Sequence, residues 1–354
     1  MVSGLDQRRN SAFVSIAPAS TFAARRRRRR ARAGRNGLLL MAASLGVLGG
    51  VGLTRGLARQ GAPVRVAATR ADAAVPAGAR KAAAVPLTLH LAAPPYSWDY
   101  RWLETHPATG APANRARAAL MVDLQTGHVL FSHNPHARMS TASTAKLMTA
   151  MVTLDSADPS AVVTVPAAAT QVEPNVMGLS AGEKLTVQEV LTGLLLDSGN
   201  DAAETLASTT MSSRDAFLAA MNAKAAAMGL TDTHFANPSG LDDPAQYTSP
   251  HDLALMAAYL YSHYPALDGL VTLKQGSIQG TADHKAFAPI NLNKLLWTYP
   301  GAIGFKTGLT DNAGTCLVAG AHRGDHTILL VEMNDPLIFT DATALFDYGF
   351  RRTG

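Results

Sequence analysis

Three short stretches hold hydroxyls, an amide and amines of the types that acyl chemistry uses: Ser143-Thr144-Ala145-Lys146, Ser198-Gly199-Asn200 and Lys306-Thr307-Gly308. A serine hydroxyl is a weak nucleophile until a neighbouring base takes its proton, and a buried lysine with lowered proton affinity can be that base. Residues three apart on a helix share a face, so the Lys146 amine can reach the Ser143 hydroxyl. The partial positive charge at the helix amino end favours an incoming oxyanion. Taken alone, Ser-x-x-Lys arises often by chance, and a capping serine followed one turn later by a solvated lysine is its ordinary reading. The other two stretches supply complementary parts. Ser198, at a helix end, can relay a proton to a leaving amine, and Asn200 can hold both a substrate carbonyl and the Lys146 side chain. Lys306, on an edge strand, offers a fixed positive charge to a substrate carboxylate, with the Thr307 hydroxyl beside it. Gly308 lets a substrate backbone lie close along the strand.

The elements that must carry these groups follow from periodicity. Ala119 to Asp123 and His128 to Phe131 read as two strands joined by the turn Gln125-Thr126-Gly127. Apolar residues at Leu147, Met148, Met151 and Leu154 form the stripe of an amphipathic helix starting at or near Ser143. The chain is irregular between Val162 and Lys184. Thr186 then opens a helix with Val187, Val190, Leu191, Leu194 and Leu195 at helical spacing, Asp201 starts the next, and Ser213 to Met228 a third, stopped by Gly229. Ser249-Pro250 is a cap and first position for a helix from His251 to Tyr261. After Pro300 come three strands (Ala302 to Gly308, Thr315 to Ala321, His326 to Met333) and a closing helix from Thr340 to Tyr348. Two strands, a helical block, three strands and a helix describe one α+β domain with a helical insertion.

Of the 354 residues, 47% are apolar and 16% charged, enough for a sizeable core. The net charge of +5 is unevenly placed: residues 1–60 hold twelve arginines, no lysine and one acid, Asp6, for a net of +11, which leaves the rest of the chain at −6. The folded part is mildly acidic, which argues against nucleic acid as a partner. Residues 25–30 are six consecutive arginines, and residues 37–53 carry no charge. This pairing reads as a basic cytoplasmic tail (1–36) before either a signal peptide or an uncleaved membrane anchor (37–53), with the remainder of the chain delivered outside. Residues 54–114 form an Ala/Pro-rich linker, interrupted by Tyr96, Trp98, Tyr100 and Trp102, which read as a strap packing back on the domain of residues 115–354. The lone cysteine, Cys316, lies in an apolar run and reads as a core residue. His322-x-x-x-His326 has a metal-like spacing, but it spans Arg323-Gly324-Asp325 between two strands and reads as a solvated hairpin tip. No metal or cofactor is expected.

From about Ala118 to Phe350 the sequence resembles the D-alanyl-D-alanine carboxypeptidases of the low-molecular-mass penicillin-binding protein family, the S11 serine peptidases. The resemblance rests on the three motifs in order and on longer stretches: MVDLQTGHVL, TASTAKLMTA, GLSAGEKLTVQEVLTGLLLDSGNDAAETLA, HFANPSGLD, NLNKLLWTYPGAIGFKTGLTDNAGTCLVAGAHRGD and LFDYGF. It implies the serine β-lactamase/D,D-peptidase-like fold, an antiparallel sheet flanked by helices with an inserted helical subdomain. It implies a cofactor-free hydrolase acting on peptidoglycan stem peptides that end in D-Ala-D-Ala and inhibited by β-lactams. Ser143 would be the acylated nucleophile, Lys146 its base, Ser198 and Asn200 would serve proton transfer and binding, and Lys306 and Thr307 would hold the terminal carboxylate. The backbone amides of Ser143 and Leu309 would form the oxyanion hole. Two positions depart from the family pattern: Thr141 stands where proline is common, and Leu309 where histidine or an aromatic is. The carboxy-terminal β-domain and amphipathic anchor of many members have no counterpart in this sequence, so membrane attachment would fall to residues 37–53, at the extracytoplasmic face. The same groups would serve a D,D-endopeptidase, and a catalytically weak wall-binding protein is the competitor from another class. No glutamate is placed as in the deacylating motif of class A β-lactamases.

Overall fold

The computed structural model describes residues 96–353; the expected basic tail, the apolar segment 37–53 and linker residues 54–95 lie outside the described residues. The strap comes first, with a short helix α1 (Arg101–Thr105). Next is the hairpin β1 (Ala118–Asp123) and β2 (Val129–His133), then a 3-10 turn (Ala142–Ala145) leading into α2 (Lys146–Ser156). A two-stranded ribbon, β3 (Val162–Thr164) and β4 (Lys184–Thr186), precedes α3 (Val187–Leu195), α4 (Asn200–Thr209) and α5 (Arg214–Ala227). α6 (Pro250–His263), α7 (Pro265–Val271) and α8 (Leu295–Thr298) complete the helical block. The chain closes with β5 (Ala302–Thr310), β6 (Gly314–Arg323), β7 (His326–Met333) and α9 (Ile338–Arg352).

The main sheet has the order β2-β1-β7-β6-β5, antiparallel throughout, so β5 is an edge strand as the sequence implied. Both faces are covered. Leu120, Val122, Cys316, Val318, Leu329 and Val331 pack with the helical block, whereas Met121, Leu317, Ala319 and Leu330 pack with Leu345 and Phe346 of α9. The alternation along each strand therefore feeds two apolar layers, and β1 is buried at all six positions.

Local chemistry fixes the helix ends. Thr186 accepts from the Glu189 amide while the Glu189 carboxylate accepts from the Thr186 amide, a capping box worth about 1 kcal/mol. Ser213 and Ser249 cap α5 and α6, and Pro250 takes the first position of α6. α2 differs from its expectation. Its residues from Lys146 through Thr153 are all buried, so the helix is enclosed on every side in place of presenting one apolar stripe. Threonines make this tolerable: Thr149 donates to the Pro238 carbonyl at 2.6 Å and Thr153 to the Thr149 carbonyl at 2.8 Å.

The strap packs back on the domain. Asp99 bridges to His128, Trp98 is buried with Tyr96 stacked on it, and Tyr100 lies against His136 and His251. Trp102 stacks between His106 and His128 with the Arg352 guanidinium 4.6 Å from its ring centroid. Among the described residues no helix is long and apolar enough to cross a membrane.

Candidate active site

Ser143 lies in the 3-10 turn that feeds α2, half-buried, and Lys146 is the first residue of the helix proper. The tighter turn brings residue 146 over residue 143, and the Lys146 Nζ lies 2.8 Å from the Ser143 Oγ. The amine is buried. Its other partners are Asn200 Oδ1 at 2.7 Å and the Ser239 carbonyl at 2.6 Å. Burial, and then the positive charge of Lys306, hold the Lys146 proton affinity well below that of an ordinary lysine, with Asp201 and then Glu204 pulling the other way.

Two glycines let distant segments close on Ser143. A Cβ at Gly308 of β5 would stand 2.7 Å from the Ala142 Cβ and 2.9 Å from the Ser143 amide nitrogen. A Cβ at Gly240 would stand 1.8 Å from the Ala142 carbonyl oxygen, and Gly240 has φ +87° besides. The peptide ahead of Ser143 is thus gripped from both sides, with Ala142 itself at φ 44°. Lys306, two residues before Gly308, is 2% exposed and donates to the Thr307 carbonyl at 2.9 Å. Desolvation lowers its ammonium to about 7. Thr307 is half-buried beside it.

Ser198 sits in the turn between α3 and α4 with φ 61°, a left-handed conformation that serine seldom adopts. Its hydroxyl is buried and has no hydrogen-bond partner among the described residues. Asn200 begins α4 and is fixed at both ends of its amide: Nδ2 donates to the Glu173 carbonyl at 2.7 Å, so Oδ1 faces Lys146. Ser143, Lys146, Asn200 and Lys306 are therefore gathered at one place from the 3-10 turn, α2, α4 and β5, and Ser198 and Thr307 adjoin them in sequence.

Sequence reasoning missed the Ser239 carbonyl, the tight approach at Gly240 and the part played by Asp201. The first two act through backbone and carry no reactive side chain. Their signal was the HFANPSGLD stretch, conspicuous but without a chemistry of its own. Asp201, read from the sequence as a helix-end acid, is 1% exposed and accepts from the amides of Met177, Gly178, Leu179 and Ala202 at 2.8 to 2.9 Å. Elsewhere, Cys316 is buried and its thiol is pushed up to about 11 by desolvation, as suits a core residue. His322 and His326 flank the β6–β7 tip with separate partners, Thr327 Oγ1 at 3.0 Å and Asp123 Oδ2 at 2.8 Å. Among the described residues no group of three or more His, Cys, Asp or Glu could hold a metal ion.

The family model for D-alanyl-D-alanine carboxypeptidase, peptidase family S11, matches residues 105–336. The chain belongs to this family. It is 37% identical over 252 residues to the D-alanyl-D-alanine carboxypeptidase DacB2 of Mycobacterium tuberculosis, covering 68% of this chain and 84% of that one. It is 33% identical to DacF of Bacillus subtilis, over 63% of this chain but 58% of that relative's length. Among solved structures, the D-alanyl-D-alanine carboxypeptidase of M. tuberculosis matches with TM-score 0.65 at 34% identity, covering 69% of this chain and 94% of that one. The Streptomyces K15 DD-transpeptidase matches with TM-score 0.65 at 32% identity, covering 69% and 100%. This S11 member thus shares the penicillin-binding α+β fold with antiparallel sheet and flanking helices.

Proposed function

We propose that this protein removes the terminal D-alanine from peptidoglycan stem peptides ending in D-Ala-D-Ala, through an acyl-enzyme on Ser143. The observation that carries the reading is the set of three contacts around the Lys146 amine. Asn200 Oδ1 and the Ser239 carbonyl can only accept, so a neutral amine gives them its two N–H bonds and turns its lone pair to the Ser143 hydroxyl. That is the arrangement of a base waiting for a serine proton.

In the proposed course Ser143 Oγ passes its proton to Lys146 Nζ and attacks the penultimate carbonyl. The oxyanion meets the amides of Ser143 and Leu309. The C–N bond then breaks, and the proton returns from Lys146 by way of the Ser198 hydroxyl to the departing D-alanine amine. Water hydrolyses the ester, again with Lys146 as base. Lys306 and Thr307 take the terminal carboxylate, and Asn200 the acyl-side carbonyl. Strained β-lactams would enter the same sequence and stall as the ester. No step calls for a cofactor, and the basic tail with segment 37–53 supports an extracytoplasmic domain tethered to, or secreted across, the cytoplasmic membrane.

Labelled penicillin tests the assignment. The wild-type protein should be covalently labelled and should release D-alanine from a D-Ala-D-Ala peptide, and Ser143→Ala should do neither; equal labelling of the two would refute it. A second reading, transfer of the acyl group to an amine, is favoured by the transpeptidase name of the Streptomyces relative that this chain matches over its whole length. Adding an amino-acid acceptor separates the two: a new peptide product marks transfer, free acyl peptide marks hydrolysis.

A further inference from the structure

The loop of residues 173–179 is tied to the start of α4 on three levels. The Asp201 carboxylate accepts the amides of Met177, Gly178 and Leu179, in addition to that of Ala202 in its own helix. One step back, the Asn200 amide nitrogen donates to the Asn175 carbonyl at 2.8 Å, and Asn200 Nδ2 donates to the Glu173 carbonyl at 2.7 Å. The Met177 side chain fills the space above Gly193 of α3, where an added Cβ would fall 2.1 Å from its sulfur. Only a carboxylate suits the first of these levels. It is acceptor-only on both oxygens, whereas an asparagine would turn two N–H donors toward amides that are themselves donors.

The geometry points to Asp201 as a positioning residue of the acyl-transfer site: by clamping the loop 173–179 it fixes the Glu173 carbonyl that orients the Asn200 amide, and through Asn200 it holds the Lys146 amine on Ser143. Asp201 touches neither the reacting atoms nor substrate. Its influence reaches Lys146 by two routes, the mechanical one through the loop and the field of its charge. The charged groups that act on the Lys146 amine are Lys306, Asp201 and Glu204, and Asp201 raises its proton affinity against the effects of burial and Lys306. A shift of the Asn200 amide by a fraction of a hydrogen-bond length would misplace the base, and misplacement on the order of 1 Å costs about 100-fold in rate.

The inference rests on the acyl-enzyme reading, which Ser143→Ala tests separately. The full-length protein is mixed with a fluorescent penicillin, and the rate constant of acylation is followed from pH 5 to 9. Asp201→Asn should acylate on the order of 100-fold more slowly than wild type, and the acidic limb of its profile should move to lower pH because a negative charge near Lys146 is gone. A merely structural role would reduce the fraction of protein that labels and leave the rate constant of that fraction unchanged; this outcome would overturn the proposal. Gly178→Val provides the second arm. Gly178 has φ +91° and a Cβ added there would meet nothing within 4 Å, so a β-branched residue acts chiefly by straining the loop backbone and does not alter charge. It should slow acylation with the acidic limb unmoved, and acylation at the wild-type rate would overturn the loop's role even if Asp201→Asn fails to fold.

Discussion

Lys146 Nζ lies 2.8 Å from Ser143 Oγ inside a cage whose two other polar walls, Asn200 Oδ1 and the Ser239 carbonyl, can only accept hydrogen bonds. An arginine in place of Lys146 would carry a permanent charge and could not take a proton. Lys146→Arg should therefore lose roughly 100- to 10,000-fold in the acylation rate, the span ascribed to a general base. A stopped-flow comparison of penicillin labelling checks it. Retention of more than a tenth of the rate would show that position 146 supplies charge and not base strength.

With Lys146 as the proposed base and Lys306 as the proposed carboxylate anchor, the two lysines should set opposite limbs of a pH profile. Acylation needs Lys146 neutral, so the rate rises with pH as that amine, whose proton affinity is well below an ordinary lysine's, gives up its proton. Holding a carboxylate needs Lys306 charged, and desolvation puts its ammonium at about 7, so turnover of a carboxylate substrate falls as pH rises past that value. Lys306→Arg keeps the charge at every pH. The alkaline limb should then disappear while the acidic one stays, read as kcat/KM for a D-Ala-D-Ala peptide from pH 5 to 10. An unchanged alkaline limb would assign it to another group.

Gly240→Ala probes the grip on the 3-10 turn. The new methyl would stand 1.8 Å from the Ala142 carbonyl oxygen, backbone that cannot swing aside as a side chain can, and φ +87° strains any L-residue there. The turn must move, and Ser143 with it. We expect acylation slowed by at least about 100-fold together with a lowered thermal midpoint. Wild-type labelling would mean that the turn tolerates displacement.

Much of the fold is legible in the residues alone, and the reasons are local. Thr186 with Glu189 three residues on, Ser249 before Pro250, and Gly229 after Met228 are helix boundaries written in side-chain and backbone chemistry, and each marks a boundary in the fold. The α+β order followed from where the apolar period changed, and the edge position of β5, expected from the role given to Lys306, is what the sheet order has. The short helices α1, α7 and α8 had too few residues to show a period. At the site, Ser143, Lys146 and Asn200, which the fold brings into contact, could be picked out because their side chains are of the types that acyl chemistry uses. Ser239 and Gly240 could not, since one contributes a carbonyl and the other an absence of side chain. The enclosure of α2 was hidden as well: Thr149 and Thr153 look solvent-facing until their partners, both backbone carbonyls, are known.

Away from the site, Glu332 of β7 offers a stability test. It is fully buried between sheet and α9, with Asn114 donating to Oε1 and no partner for Oε2 among the described residues. Desolvation, and then the nearby Asp335, raise its carboxyl to about 9 from the usual 4.5. The folded protein therefore keeps this proton at pH values where the unfolded chain has released it. Such a group favours the folded state fully below about pH 4.5, and that contribution is lost as pH climbs toward 9. Glu332→Gln removes the titration, keeps an acceptor for Asn114 and adds N–H donors toward Asp335. The variant should be more stable than wild type near pH 8, by about 1–3 kcal/mol as for relief of an unsatisfied buried group, and the advantage should shrink toward pH 5. Urea unfolding of both proteins across this range reads it directly. A variant less stable at pH 8, or a difference that does not change with pH, would show that Glu332 is not held protonated in the fold.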